Sequence, residues 1–271
     1  MSSNKLNIDR EINLNSIRPI YIEMFYNDIK LASATGSFVK SQKGPVFITN
    51  RHNVTGRNQE TNEPLNSQCA IPNNIRFLVV GSHKPFWYAL DLYNKSDHEE
   101  PVWIEHPLGV SVDVVGILIP EIKNGIHLFV ETHDDWHKWR IGDRVHVLGF
   151  PFGMSDQFAI WSTGYIASEP DTDFKYLPSF LIDCRARQGQ SGSIVIARFM
   201  PGDIVESKGN VYRAQKEMVH FLGIYSGRIN RESDLGIVWK MRILKELIQV
   251  IEANNVTEVH CAYHRLKNYK F

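Results

Sequence analysis

The stretch RQGQSGSIVIA, Arg187–Ala197, places a serine inside a glycine-containing bend directly before an apolar run. Its core, Gly189-Gln190-Ser191-Gly192, places a small hydroxyl residue between two glycines. Glycine adopts backbone conformations that residues with a side chain avoid. One interpretation is a plain turn before a strand. The other is a nucleophile whose backbone stays open to a substrate. The motif is too short to decide, because an isolated copy is more often a turn.

A serine becomes a strong nucleophile only when a base takes its proton, and a carboxylate keeps a histidine base in the right tautomer. Among eleven histidines, His52 follows the apolar run PVFITN, so it is predicted at the end of a strand. Asp113 lies in VSVDVVGILIP, at the mouth of another apolar strand. A surface histidine and a turn aspartate are the alternative interpretations. The order His52, Asp113, Ser191, each beside a β-rich run, makes them a candidate triad.

A nucleophilic serine also needs donors for the oxyanion that forms when it attacks a carbonyl. The bend of Gly189, Gln190 and Ser191 is the predicted oxyanion hole, with the amides of Gly189 and Ser191 as donors. A side chain at position 189 would crowd this backbone, so a glycine there has a physical purpose.

The rest of the chain alternates short β-rich runs with Gly, Pro, Asn and Asp, a pattern typical of barrels or sandwiches. We predict a lead-in at 1–15, a first β-barrel at 16–130, a second at 131–240, a closing helix at 241–254 and a tail at 255–271. The helix prediction depends on Leu244, Leu247, Ile248 and Ile251, which share one face. The join between barrels is expected near 121–141.

Several further motifs follow one another in a recognisable order: ATGSFV, PVFITNRHNV, HPLGVSVDVVGILIP, IDCRARQGQSGSIV, and FLGIYSGRI followed by LGIVWK. On these motifs the chain resembles the trypsin-like serine peptidases, most closely the bacterial HtrA (Deg-like) branch, over most of residues 32 to 250. The resemblance implies an all-β fold of two six-stranded antiparallel barrels with the active site between them. It implies a serine endopeptidase with His52 as base, Asp113 as orienting acid and Ser191 as nucleophile.

The same resemblance implies where a protein or peptide substrate would bind. Tyr225, Ser226 and Gly227 would pair with the substrate backbone as an added strand. Arg185 would lie near the floor of the pocket for the residue preceding the cut bond, where an inward arginine favours an acidic side chain. The alternative for Arg185 is that it points to solvent, as arginines usually do.

Two positions depart from the family pattern. Ser193 stands where the family usually has a second glycine after Ser-Gly. Gln190 stands where digestive members carry an aspartate that pairs with a new N-terminal amine after zymogen cleavage, and a glutamine cannot form that ion pair. We therefore expect ordering of the bend by loops or by a regulatory protein partner, and no PDZ domain after the helix. The alternative function is a catalytically silent scaffold or binding protein of the same fold.

Composition limits the other partners. The 271 residues are 43% hydrophobic and carry thirty basic and thirty acidic side chains, so no net charge favours nucleic acid. No run approaches the roughly 20 apolar residues that span a bilayer, so no membrane partner is expected. Three scattered cysteines, Cys69, Cys184 and Cys261, and a polar N-terminus indicate a reduced, cytoplasmic setting.

No cofactor and no metal are expected. His133 and His137 have a helical i, i+4 spacing beside two acids, which could bind a metal, but a solvated loop is the preferred interpretation. Cys184 follows an apolar run and is predicted to be a packed core thiol rather than a reactive one.

Overall fold

The computed structural model describes residues 12–81, 84–94, 100–119, 128–132, 137–154, 158–207, 209–230 and 232–253, and the backbone of 264–266. Within these residues the chain is mainly β-strand, and its longest helix comes at the C-terminal side. None of the described helices is both long and apolar enough to cross a membrane.

One sheet of nine strands combines eight strands from the first part of the chain with β17 from the C-terminal end, in the order β17-β5-β4-β1-β2-β3-β7-β6, with β8 pairing with β2. Its strands are β1 Ile20–Tyr26, β2 Ile29–Ser41, β3 Gly44–Thr49, β4 Asn74–Val79, β5 Phe86–Asp91, β6 Ile104–Glu105, β7 Val115–Leu118, β8 Phe129–Val130 and β17 His264–Leu266. A five-residue helix α1, Arg51–Thr55, follows β3. The long strand β2 pairs with β1 up to Gly36 and with β3 from Ser37 onward, so one strand joins both parts of the sheet.

The second part closes into a six-stranded antiparallel barrel in the order β10-β11-β16-β15-β12-β9. Its strands are β9 Arg144–Gly149, β10 Ile160–Ile166, β11 Ser179–Asp183, β12 Ile194–Phe199, β15 Met218–Arg228 and β16 Leu235–Lys240. A separate hairpin is formed by β13 Ile204–Ser207 and β14 Asn210–Arg213. Alternate residues such as Val145 and Val147 of β9, and Val195 of β12, fill the barrel interior, because strand side chains point to opposite faces in turn.

Helix α2, Met241–Ala253, packs between the two parts and matches the predicted helix. Its buried side chains include Leu247 and Ile251, which pack so tightly on β7 that a Cβ on Gly116 would lie 3.2 and 3.0 Å from them. His106, before β7, bonds through Nε2 to the carboxylate of Glu246 on the helix at 2.6 Å. The predicted all-β fold closed by a C-terminal helix is confirmed.

Some predicted segments differ from the structure or lie outside it. Residues 264–266 of the predicted tail form β17, which pairs antiparallel with β5, because the edge of β5 offers unpaired backbone groups. The end of the lead-in forms a 3₁₀ turn, Leu14–Ile17, whose first turn Asn13 caps by accepting from the amide of Asn15. Much of the predicted join near 121–141 lies outside the described residues, as do 254–263 and 267–271.

Candidate active site

His52 is held by the short helix α1, which begins directly after strand β3. Asn50 precedes the helix in extended conformation, and Gly56 ends it with a φ of +63°. This left-handed conformation suits glycine because it has no Cβ. One turn of helix therefore carries the ring of His52 out of the sheet, with 18% of its side chain exposed.

Asp113 is fully buried two residues before strand β7, and its carboxylate contacts His52 at two atoms. It accepts a bond from the backbone N–H of His52 at 2.9 Å and contacts the ring Nδ1 at 2.6 Å. Because a carboxylate oxygen can only accept, this contact requires a proton on Nδ1. The side-chain amide of Asn50 donates through Nδ2 to the backbone carbonyl of Asp113 at 2.6 Å and so helps to hold the backbone of the acid in place.

Ser226 contacts both the acid and the serine of the predicted triad. It lies at a β-bulge, since the pairing of β15 with β16 shifts register between Tyr225 and Gly227. Its hydroxyl donates to the carboxylate of Asp113, and its carbonyl accepts from the hydroxyl of Ser191 at 3.0 Å. Bulges next to active sites commonly redirect a side chain in this way. The sequence predicted Ser226 only as a substrate-pairing residue, since a register shift leaves no trace in the hydrophobic pattern.

Ser191 lies in the bend before β12 and is tied to the first sheet. Its carbonyl accepts from the amide of Thr35 on β2 at 2.8 Å. Ser191 and His52 line the same cleft of about 450 Å³. Among the described residues no hydrogen bond joins the Ser191 hydroxyl to His52, because that hydroxyl donates to Ser226 instead. Such bonds are often absent before substrate binds, and rotation about one side-chain bond redirects a hydroxyl.

The two glycines around Ser191 are required by close backbone contacts. Gly189 has a φ of +96°, and a Cβ there would lie 2.3 Å from the carbonyl oxygen of Phe150. Gly192 has a φ of +85°, and a Cβ there would lie 2.0 Å from the carbonyl oxygen of Thr35. A residue with a side chain would therefore strain the backbone and collide with fixed backbone atoms at both positions.

The peptide between Gln188 and Gly189 has a defined orientation. The carbonyl of Gln188 accepts from the amide of Phe152 at 2.7 Å, and the carbonyl of Gly189 accepts from the hydroxyl of Thr35 at 2.9 Å. In a trans peptide the N–H points opposite to the C=O, so the Gly189 N–H faces away from Phe152. Within the described part of the chain, neither the Gly189 nor the Ser191 amide donates to a protein acceptor. Both N–H groups are therefore available to another acceptor.

The side chain of Gln190 is fully buried and forms two hydrogen bonds that hold this bend. Its Oε1 accepts from the backbone amide of Arg187 at 2.6 Å, and its Nε2 donates to the hydroxyl of Ser162 on β10 at 2.9 Å. The bend is thereby fastened to the barrel by neutral hydrogen bonds. The sequence placed Gln190 in the predicted oxyanion bend and noted the ion pair that it cannot make, but it did not identify these side-chain hydrogen bonds.

Ser193 fits because of a glycine on the neighbouring strand. Its side chain is fully buried, and a Cβ on Gly149 would lie 1.9 Å from its hydroxyl oxygen. That hydroxyl has no hydrogen-bond partner within the described residues. The extra side chain at position 193 thus occupies the space left by the missing side chain at position 149.

The predicted substrate-pairing residues differ in whether they are open to a substrate. Tyr225 is buried in the barrel core, where burial raises the pKa of its hydroxyl well above the usual range. Its amide donates to Ser193 and its carbonyl accepts from Gly192, at 2.8 and 2.9 Å. The backbone of Tyr225 is therefore engaged inside the protein, unlike the sequence-based expectation. At Gly227, no heavy atom lies within 4 Å of where a Cβ would stand, so this position is open.

Two residues that the sequence analysis discussed, Arg185 and Cys184, do not line the cleft. Arg185 is exposed and is not among the residues that line the cleft. Cys184 is 2% exposed, and burial, with smaller effects from Asp183 and Asp234, raises the pKa of its thiol to about 11. This matches the predicted packed core thiol.

The predicted metal pair is only partly described, because His133 lies outside the described residues. The ring of His137 packs against Trp139 at 4.4 Å between centroids. Among the described residues no three His, Cys, Asp or Glu side chains cluster in a way that could hold a metal ion.

Comparison with solved structures supports the fold. The Rv3671c protease of M. tuberculosis in its active form has 18% identity and a TM-score of 0.50, covering 89% of this chain and 84% of that one. Its inactive form gives 19% identity and a TM-score of 0.47, covering 93% and 98%. A serine endoprotease from Yersinia pestis gives 14% and 0.48, covering 86% and 64%. No protein-family model and no curated protein matches the sequence. The chain has a trypsin-like fold.

Proposed function

We propose that this chain is a serine endopeptidase in which Ser191 is the nucleophile, His52 the base and Asp113 the orienting acid. One observation carries the proposal: the 2.6 Å contact between the His52 Nδ1 and a buried carboxylate, on a cleft that Ser191 shares. That contact holds the proton on Nδ1 and leaves the other ring nitrogen as the base. The fold likeness to a known protease supports the reaction class only generally, because one fold hosts many functions.

The proposed reaction proceeds through an acyl-enzyme. The Ser191 hydroxyl turns from the Ser226 carbonyl toward His52 and attacks the peptide carbonyl, while Nε2 takes its proton. The amides of Gly189 and Ser191 donate to the oxyanion of the tetrahedral intermediate. His52 then gives the proton to the leaving amine as the C–N bond breaks. Water attacks the ester in a second round, with the same proton transfers, and releases the carboxylic acid and the free serine.

Substrate binding by Ser226 and Gly227 is part of the proposal, with the open strand position at Gly227 as its support. Arg185 remains a proposed contact for an acidic side chain preceding the cut bond. Its exposure is compatible with a substrate that reaches it at the surface. The cytoplasmic setting is also proposed, supported by two free cysteines, Cys69 and Cys184.

Regulation by a protein partner or a signal completes the proposal. The bend at Gly189 is held by bonds from Thr35, Phe152 and the Gln190 side chain, all inside the chain. We therefore expect a partner to control access of substrates to the cleft rather than to build the bend itself.

The test is covalent labelling with a fluorophosphonate probe, which reacts with an activated serine. Wild-type protein should be labelled, and Ser191→Ala should not. Asp113→Asn keeps the size of the side chain but favours the wrong tautomer of His52, so its turnover should fall by about 10⁴-fold. Equal labelling of wild type and Ser191→Ala would contradict the proposal. Absence of both labelling and peptide cleavage would instead favour the catalytically silent scaffold.

A further inference from the structure

We infer that the cleft beside His52 selects substrates with an apolar, uncharged side chain directly after the cut bond. This inference rests on the proposed function and names the substrate class of the same site. It is carried by the chemistry of the cleft walls and by the side of Ser191 on which they lie.

The side of the cleft follows from the proton transfers. His52 must return its proton to the leaving amine, so the part of the substrate after the cut bond lies beside His52. The acyl part stays on Ser191, whose hydroxyl contacts the Ser226 carbonyl on β15. The cleft is lined by His52 and by the segment that follows it, including Gly56 and Leu65. No residue of β15 is among its lining residues, so the cleft takes the leaving side.

The cleft walls are uncharged: apolar side chains stand there among the uncharged polar ones of Ser33, Asn53, Asn66, Ser67 and Gln188. Met24 and Pro72 are buried in the floor, while Leu31 and Leu65 stand beside the opening. None of the described lining residues is an Asp, Glu, Lys or Arg. The volume of about 450 Å³ lies within the usual range of ligand pockets. A charged side chain entering this cleft would lose its hydration without gaining an ion partner, whereas an apolar one gains from leaving water.

Leu65 is the residue that the occupant would cover. Its side chain is 54% exposed and lines the cleft. Its backbone is nevertheless fixed, because its amide donates to the carbonyl of Gly56 at 2.8 Å. The neighbouring bridge between Arg57 and Pro64 holds the same segment against the end of α1. Leu65 is thus an apolar surface whose position relative to His52 is set by the main chain.

The experiment is digestion of a peptide library randomised on both sides of the cut, with the cut sites read by mass spectrometry. Wild type should cut before Leu, Met or Ile about tenfold or more in preference to Asp, Glu or Lys, the scale of discrimination by an apolar pocket. Leu65→Lys should shift the preference toward acidic residues, and Leu65→Glu toward basic ones. Leu14→Lys changes a leucine of similar exposure, 58%, outside the cleft and should leave the preference unchanged.

The ratio of cut sites is the readout, because a charge at position 65 also acts on His52 and changes absolute rates. Fluorophosphonate labelling of Ser191 needs no leaving-side contact and should persist in both Leu65 variants. Cleavage by wild type with no preference for the residue after the cut bond would overturn this inference. Leu65 variants that keep the wild-type preference would overturn it too. Both results would leave the proposed function standing. Labelling without cleavage of any library member also overturns it. Failure of both labelling and cleavage removes the proposed function, and the inference with it.

Discussion

At the residue scale, a fourth residue that the motifs do not reveal in this role, Ser226, contacts two members of the predicted triad. Ser226 donates to the Asp113 carboxylate while its carbonyl holds the Ser191 hydroxyl. His52, Asp113 and Ser191 could be selected from sequence because each stands beside a β-rich run and because their order matches a known pattern. Ser226 could not, since its orientation is produced by a bulge whose register only the assembled barrel defines.

The Ser226→Ala variant tests this role. Loss of a hydrogen bond to a charged group costs about 1.5–3 kcal/mol, so kcat/KM should fall by about tenfold to a hundredfold. The melting temperature should fall as well, because the fully buried Asp113 carboxylate loses one of its hydrogen-bond donors. Measured kcat/KM and thermal melting separate the two effects: a lower melting temperature with unchanged kcat/KM would mean that Ser226 only supports the fold.

At the scale of elements, the bend around Ser191 is supported from three directions. Thr35 reaches it from β2, Phe152 from the loop after β9, and the Gln190 side chain ties it to Ser162 on β10. The sequence indicated a bend from its glycines, but it could not identify these supports, because they come from distant parts of the chain. The buried hydroxyl of Ser193 next to Gly149 is a similar case. Ser193 departs from the pattern of the family that the chain resembles, and Gly149, more than forty residues earlier, leaves the space for its side chain.

Gly189→Ala tests the geometry of the bend. The new Cβ would lie 2.3 Å from the Phe150 carbonyl oxygen, so the peptide must move and its N–H turns away from the oxyanion. Loss of one oxyanion donor costs about 10²- to 10³-fold in kcat. The matched control is Gly202→Ala, which has nearly the same φ, +97° against +96°, but no atom within 4 Å of the new Cβ.

The Gly202→Ala control carries the backbone strain alone, about 1–2 kcal/mol, without a collision. It should lower thermal stability slightly and keep the kcat of wild type. Turnover in Gly189→Ala equal to that in Gly202→Ala would show that the Gly189 amide has no part in catalysis.

At the scale of the whole molecule, the two parts share one core. Val46 and Leu118 of the first sheet, Ile194 and Ile224 of the barrel and Leu247 of α2 belong to the same buried cluster. Because Asp113 and His52 come from the sheet and Ser191 from the barrel, this shared core sets their distances. A close-packed core resists small displacements, so we expect it to hold the three side chains at fixed relative positions.

Stability of the whole molecule should depend on pH through Cys184. Burial raises its thiol pKa from about 9 to about 11. Below pH 9 the thiol is protonated in both folded and unfolded chains, so its contribution is fully present. Between pH 9 and 11 the unfolded chain releases a proton that the folded chain keeps, so the free energy of unfolding falls as pH rises. One such proton changes it by at most about 1.4 kcal/mol per pH unit.

The measurement is denaturant unfolding at several pH values from 8 to about 11. Cys184→Ala cannot release this proton, so its stability should decline less steeply with pH than that of wild type. Parallel slopes for the two proteins would mean that Cys184 ionises as readily in the folded chain as in the unfolded one.

The sequence by itself determined which residue types stand beside which strands, and where helix α2 begins and ends. These features follow from local periodicity and from short motifs, both of which neighbouring residues set. It could not determine that three described residues of the tail add a strand to β5, that the Tyr225 backbone is engaged internally, or that Leu65 stands exposed beside His52. The tertiary structure decided these, because each depends on contacts between groups far apart in the chain, and such contacts exist only once the core that both parts share has packed.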